Sequence, residues 1–293
     1  MDTPALPSAR WGEWLNLHTN LAWIYEGEVP AKNRRGEYRP DHLGAWLVLR
    51  GQVVLKQPGR SVQARAGQWL IPWPGQRRQE FSDDALILSV RFSAHWPDGK
   101  PLFDAGLSAV FDAADHPELE VAARRLLEHS RRTVATKAGS VPSASLTLGA
   151  FIDMQIAVLR WVDEFTRTLC ALGLRPTRVG VSDERIVATL QRLDSFPLSG
   201  RLRESALAAE VGLGVSQFVR IFREEMGETP KQYFDQRRRA YCRQMLGATS
   251  VPIKEISYNL GFNRLSDFSA WFKKHFDVPP RAFRKTSGHA SPV

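Results

Sequence analysis

At 293 residues the chain is long enough for two domains that each bury a core, and its 43% hydrophobic and 24% charged residues describe a soluble globular protein. No apolar run approaches the ~18 residues of a membrane span, the opening MDTPALPSAR has no apolar signal core, and two cysteines, Cys170 and Cys242, are too few for a disulfide framework or a four-cysteine zinc site. A cytoplasmic setting without a membrane partner is therefore expected. The net charge of +9 points to a polyanionic partner, and it is unevenly placed: from Asp183 to Lys285, 18 Lys and Arg stand against 12 Asp and Glu.

From Leu21 to about Phe92 the chain reads as short β segments, LAWIYEGE, AWLVLRG, QVVLKQ, QWLIP and ALILSVRF, punctuated by the turn signals PGRS and PWPGQ. That density of strands predicts a small sandwich or barrel. After His116-Pro117 the period changes. ELEVAARRLLEHSRRT carries apolar residues at helical spacing, and Leu148, Phe151, Ile152, Ile156, Leu159, Val162, Phe165 and Leu169 mark a helix of about six turns. GLRPTRVGVS reads as a linker. From Asp183 onward short helices follow one another, with Thr229-Pro230 as an N-cap and first helical position, and the tail SGHASPV reads as disordered.

The last third repeats itself. AAEVGLGVSQFVRIFREEMGETPKQYF aligns with ISYNLGFNRLSDFSAWFKKHFDVPPRAF. Val211-Gly212-Leu213 answers Leu260-Gly261-Phe262, and Ser216, Phe218, Phe222, Pro230 and Tyr233 answer Ser266, Phe268, Phe272, Pro280 and Phe283. Each copy has the plan of a helix-turn-helix, with glycine supplying a left-handed turn. Phe218/Phe222 and Phe268/Phe272 recur four apart and so face a core, with Trp271 and Phe276 extending the second stripe. The residues between them must point outward: Ser216, Gln217, Val219, Arg220 and Arg223 in the first copy, and Leu265, Ser266, Ser269, Ala270 and Lys273 in the second. Arginine can grip guanine through two hydrogen bonds, whereas the second set is small and nearly neutral. In the connecting helix Arg237, Arg238 and Arg239 lie about 100° apart, so they cannot form one flat patch.

On these residues, together with the closing FDVPPRAFR and the S-x-F-x-x-x-F-K spacing of Ser266, Phe268, Phe272 and Lys273, residues 183–285 resemble the DNA-binding domain of the AraC/XylS family of bacterial transcription regulators. The chain departs from the family's pattern at Gly214, Asp277 and Ala270. The resemblance implies seven helices and two recognition helices entering successive major grooves, with double-stranded DNA and RNA polymerase as partners. Carried over, Ser216, Gln217, Val219, Arg220, Ser266 and Ser269 are the expected base-facing residues. Arg223, Arg238, Lys273 and Lys274 are expected on phosphate, which supplies affinity rather than sequence.

Roughly residues 15–100 look similar to the cupin-like domain that precedes this module in many members. None of the seven histidines forms an H-x-H pair, and Arg78 stands where a cupin often has a histidine, so no metal, cofactor or enzymatic activity is expected. The many aromatics leave room for a small-molecule effector, for which His42, Trp46, Trp73, Arg78 and Arg91 are candidates, the cationic ones orienting an anion. The expected architecture is α+β: a cupin-like β-barrel over 1–114, a helical dimerisation segment over 115–173, a linker over 174–182, an all-α double helix-turn-helix domain over 183–286 and a tail over 287–293. The expected function is a homodimeric, effector-responsive transcriptional regulator, an activator rather than a repressor. Two alternatives are a regulator whose barrel only dimerises and a cupin-type metalloenzyme with an accessory DNA-binding domain.

Overall fold

Alternating side chains divide the first half of the chain between two antiparallel sheets. The computed structural model describes residues 14, 16–38, 40, 42–57, 59–72, 75–104, 107–133, 146–177, 181, 183–248 and 251–287. Trp73 and most of the expected tail lie outside them. The strands are β1 (His18–Glu28), β2 (Arg35–Tyr38), β3 (Leu43–Arg50), β4 (Gln52–Gln57), β5 (Arg60–Arg65), β6 (Gln68–Ile71), β7 (Arg77–Phe81), β8 (Leu86–His95) and β9 (Ala109–Asp112). The five-stranded sheet has the order β1-β8-β3-β6-β9 and the four-stranded sheet the order β2-β7-β4-β5. The chain passes from one to the other between β3 and β4 through the single residue Gly51. Each strand pairs only within its own sheet, so among the described residues the expected barrel is two facing sheets without closure.

The five-stranded sheet is buried on both faces. On one face Leu43, Ala45, Leu47, Leu88, Val90 and Phe92 pack under helices α1 (Pro117–Thr133) and α2 (Leu148–Ala171), through Leu126, Val158, Trp161 and Phe165. The Phe92 and Phe165 rings meet edge to face at 5.0 Å. On the other face Trp46, Val48, Leu70 and Ile87 meet Val53, Leu55, Ala64 and Phe81 of the four-stranded sheet. Double burial makes β1, β3, β6 and β8 apolar throughout, which is why they were legible as strands. The strands RGEY, RSVQAR and RRQEF of the second sheet keep one face in water, and their charges mask the alternation.

Seven helices follow: α3 (Glu184–Ser195), α4 (Glu204–Glu210), α5 (Val215–Met226), α6 (Pro230–Ala248), α7 (Ile253–Asn259), α8 (Leu265–Phe276) and α9 (Pro280–Ser287). They form two small cores. Ile186, Leu190, Leu207, Phe218, Phe222 and Tyr233 make the first, and Cys242, Leu246, Ile256, Leu260, Phe268 and Phe272 the second. Each fully buried phenylalanine is worth about 1.5–3 kcal/mol of transfer free energy, so the four-residue spacing is the main support of both units. Helix α6 belongs to both cores, through Tyr233 at its start and Cys242 and Leu246 near its end.

The two halves touch where the turn after β8 meets α6. Lys100 Nζ lies 2.6 Å from Glu228 Oε1, and Glu228, nearly buried between α5 and α6, accepts a second bond from Gln236. Gly99 packs so closely that a Cβ there would meet the Ala240 Cβ at 2.8 Å. Trp96 Nε1 donates to Thr177 Oγ1 at 3.1 Å, and Thr177 Oγ1 donates to the Pro101 carbonyl at 2.6 Å, which ties the connecting segment to the same turn.

The sharp turns between α4 and α5 and between α7 and α8 use Gly212 (φ 69°) and Gly261 (φ 77°), the left-handed backbone expected of them. A side chain at Gly212 would meet open space, whereas one at Gly261 would lie 2.6 Å from the Ser199 carbonyl oxygen. Gly212→Ala should therefore cost about 1 kcal/mol, the left-handed penalty alone. Gly261→Ala should cost clearly more, because backbone must also move. Urea unfolding of the two variants checks the order.

Candidate nucleic-acid interface

The two copies build alike. Helix α4 and helix α5 meet at 86°, the steep crossing of a helix-turn-helix. In α5 the pair Phe218/Phe222 is fully buried with ring centroids 6.1 Å apart, and Phe222 meets Tyr233 of α6 edge to face. In α8 the pair Phe268/Phe272 is equally buried at 5.8 Å, and Phe272 meets Phe283 of α9 edge to face at 5.5 Å. Both helices end in a left-handed residue, Gly227 in the first and Asp277 (φ 62°) in the second.

With the aromatics turned inward, the opposite sides of α5 and α8 face water. Ser216, Gln217, Arg220 and Arg223 are exposed on α5. Val219 is half-buried and packs against the first core, so it offers only part of its side chain. Arg220 reaches along its own helix to Glu224, with bonds of 2.8 and 3.0 Å. Both partners are well exposed, so the pair is worth little and gives way readily to a stronger acceptor. On α8, Ser266, Ala270, Lys273 and Lys274 are exposed, while Ser269 is half-buried and donates its hydroxyl to the Leu265 carbonyl at 2.8 Å. Leu265 itself is 43% exposed, an apolar tip of the kind that meets a thymine methyl.

Arg238 is the clear departure from the expected phosphate set. Its guanidinium stacks between Phe262 and Trp271, at 4.9 and 5.3 Å from the ring centroids, and donates to the Leu260 carbonyl at 2.7 Å. Burial holds its pKa below the usual arginine value. It is a structural cation under the second unit, not a surface one. Neighbouring Arg237 does the same for the first unit, donating to the Leu193, Asp194 and Phe196 carbonyls at the end of α3. The two arginines diverge by the helical rotation noted in the sequence.

The residues proposed for a small ligand divide as well. Trp46 is buried between the sheets, and Arg91 points into the same space from β8, opposite Gly44. His42 is half-buried just before β3. Arg78 is corrected: it points to solvent and pairs with Glu80 at 2.9 Å. The inward arginine is its neighbour Arg77, only 6% exposed and 5.3 Å from the Trp46 ring. Sequence reasoning missed it, yet the signal was present, because Phe81 must face the core and residues 77 and 79 share its side of the strand.

Neither cysteine has a reactive setting. Burial pushes the Cys242 thiol up to about 12 and raises that of Cys170 as well. Among the described residues no group of three or more His, Cys, Asp or Glu side chains is placed to hold a metal, and no single helix is long and apolar enough to cross a membrane.

The family model described as "Helix-turn-helix domain" matches residues 207–286. Over 265 residues the chain is 24% identical to the HTH-type transcriptional regulator ExsA of Pseudomonas aeruginosa, covering 85% of this chain and 88% of the relative. It is 28% identical over 116 residues to the HTH-type transcriptional regulator GlxA of Rhizobium meliloti, covering 40% of this chain but only 36% of that protein. A solved transcriptional regulator from Chromobacterium violaceum, described by its AraC-type DNA-binding domain, aligns with 36% of this chain and 95% of its own at 25% identity and a TM-score of 0.33.

The geometry of α5 makes Arg220 the discriminating side chain of the first unit. Arg220→Ala should cost specific binding ~1–3 kcal/mol and relax discrimination against random DNA. Glu224→Gln, which releases Arg220 and removes a negative charge, should tighten binding to both. Fluorescence anisotropy with a selected and a scrambled duplex measures each; an unaltered specificity ratio in Arg220→Ala would remove that residue from the interface.

Proposed function

The chain is a DNA-binding transcriptional regulator of the AraC family, and we propose that it reads a two-part site, one major groove per recognition helix, as a homodimer that responds to a small effector. The observation that carries the reading is the doubled unit itself. Two recognition helices, α5 and α8, are held by aromatic cores on one side and left polar on the other, and α6 links them into one body. In this reading Ser216, Gln217, Val219 and Arg220 meet bases through α5, and Ser266 and Ser269 meet them through α8. Arg223, Lys273 and Lys274 neutralise phosphate.

A row of exposed apolar residues supports the dimer. Leu148, Ile152, Ile156 and Leu159 follow one another by four, four and three along α2, and they are 74%, 47%, 45% and 53% exposed. Phe151 adds a further half-exposed ring. The opposite side of α2 is already used against the five-stranded sheet, so this stripe is surplus to the monomer. A second α2 offers the matching seam. The cupin-like sheets would then sense a ligand, and the Lys100–Glu228 contact, which lands on the junction of α5 and α6, supports transmission to the first recognition helix. Position of the effector site and activation of RNA polymerase belong to the same proposal.

Selection of bound sequences from random duplex DNA by the full chain tests the core of this reading. The expected result is a motif of two boxes spaced by about one helical turn, ~10–11 base pairs; recovery of no enriched sequence would overturn it. Ile152→Glu with Leu159→Glu should convert the dimer to a monomer in sedimentation while leaving the fold intact. Binding to paired sites should then weaken far more than binding to a single site.

A further inference from the structure

The space between the two sheets holds polar groups that the fold does not explain. Residues 77, 79 and 81 of β7 share its inward side. Arg77 and Phe81 both reach Trp46 of the opposite sheet, at 5.3 Å in each case, so Gln79 between them lies beneath the same indole. Gln79 is 0% exposed, and neither its amide oxygen nor its amide nitrogen has a hydrogen-bond partner. Leaving both atoms dry costs stability, on the order of 1–3 kcal/mol per group, which a packed core would avoid with leucine. Across the gap the strand register sets Trp23 opposite Arg91 on β1 and β8, and Ser89 opposite Trp46 on β8 and β3. The Trp23 indole nitrogen is buried and also without a partner. The inward positions of these described strands thus carry two arginines and no aspartate or glutamate. Arg77 feels both its burial and the charge of Arg91, and its pKa falls to about 9. A protein that gathers two cations under aromatic walls holds them at a cost in every ligand-free moment.

We infer that this intersheet space is a binding site for a small organic carboxylate with a flat apolar body, held by Arg77 and Arg91 at its charged end, by the Gln79 amide beside it, and between the Trp46 and Trp23 rings. Guanidinium matches carboxylate in a two-point fork, and an indole N–H or amide can take a remaining lone pair. The aromatic walls favour a planar body over a chain of hydroxyls, since they offer faces rather than hydrogen-bond partners. The inference rests on the reading of the chain as an effector-responsive regulator, and it moves that reading from Arg78 to Arg77 and Gln79.

The test uses the full chain and thermal unfolding with benzoate, phenylacetate and indole-3-acetate, each beside its neutral primary amide. The expected result is that at least one carboxylate raises the midpoint while its amide does not, and that Arg77→Met weakens this response roughly tenfold. Arg78→Met, on the outward side of the same strand, should keep the wild-type response. Gln79→Leu should unfold at the same or a higher temperature without ligand and yet respond less to the carboxylate. If no carboxylate shifts the midpoint, or if amides shift it equally, the assignment falls. If Gln79→Leu unfolds earlier while the ligand response is intact, Gln79 is a structural residue and the assignment falls too. Measuring selected-operator affinity with and without the active carboxylate separates the two layers: stabilisation without any change in DNA binding would keep the site and sink the effector reading.

Discussion

Two adjacent arginines on α6 hold the DNA-binding half together. Arg237 turns to the open carbonyls at the end of α3 and Arg238 to the carbonyl at the end of α7, where Phe262 and Trp271 enclose it. Helix ends leave carbonyls that must be satisfied, and each arginine supplies several donors in a fixed plane. Because the two side chains leave the same helix in different directions, one helix fixes both units, and their spacing becomes a property of α6 rather than of flexible loops. Everything the recognition helices can do depends on that rigidity.

Within this frame the two units are close copies with different tools. The buried halves repeat almost residue for residue, Phe218 and Phe222 against Phe268 and Phe272, with Tyr233 and Phe283 closing each pair. The exposed halves differ: α5 carries Arg220 and Arg223, whereas α8 carries Leu265, Ser266 and Ala270. Ser269 spends its hydroxyl on its own helix, which leaves still less hydrogen-bonding capacity there. A surface of that kind reads shape and methyl groups and presses lysines on phosphate, so the unit nearer the C-terminus contributes more affinity than sequence discrimination.

The sequence exposed the doubled unit because its period, its glycines and its aromatics are local and occur twice. It did not expose the inward turn of Arg238, since a basic triplet reads the same whether its members face solvent or a ring pair across the domain. The same limit applied to the sheets. Strands covered on both faces were legible as apolar runs, while RGEY, RSVQAR and RRQEF hid behind the charges of their wet face. Arg78 was preferred to Arg77 because composition says which residues are available but not which side of a strand they take. Only the register through Phe81 decides that, and Phe81 becomes decisive once its partner Trp46 is known.

The contact between the halves follows from these placements. Lys100 meets a carboxylate that is almost fully withdrawn from water, and Gln236 occupies the other oxygen, so Glu228 has little freedom to find a substitute partner. A buried ion pair of this kind is a poor source of net stability but a sensitive marker of position, because separating it strands a charge. It sits at the start of α6, one turn before Arg237, with Gly99 pressed against Ala240 further along the same helix. A shift of the β8 turn by even a fraction of an ångström is therefore felt by the helix that sets the spacing of both readers. The side chains that face the intersheet space lie on that same strand, Ser89 and Arg91 among them, so occupancy of that space and presentation of the recognition helices share a single mechanical element.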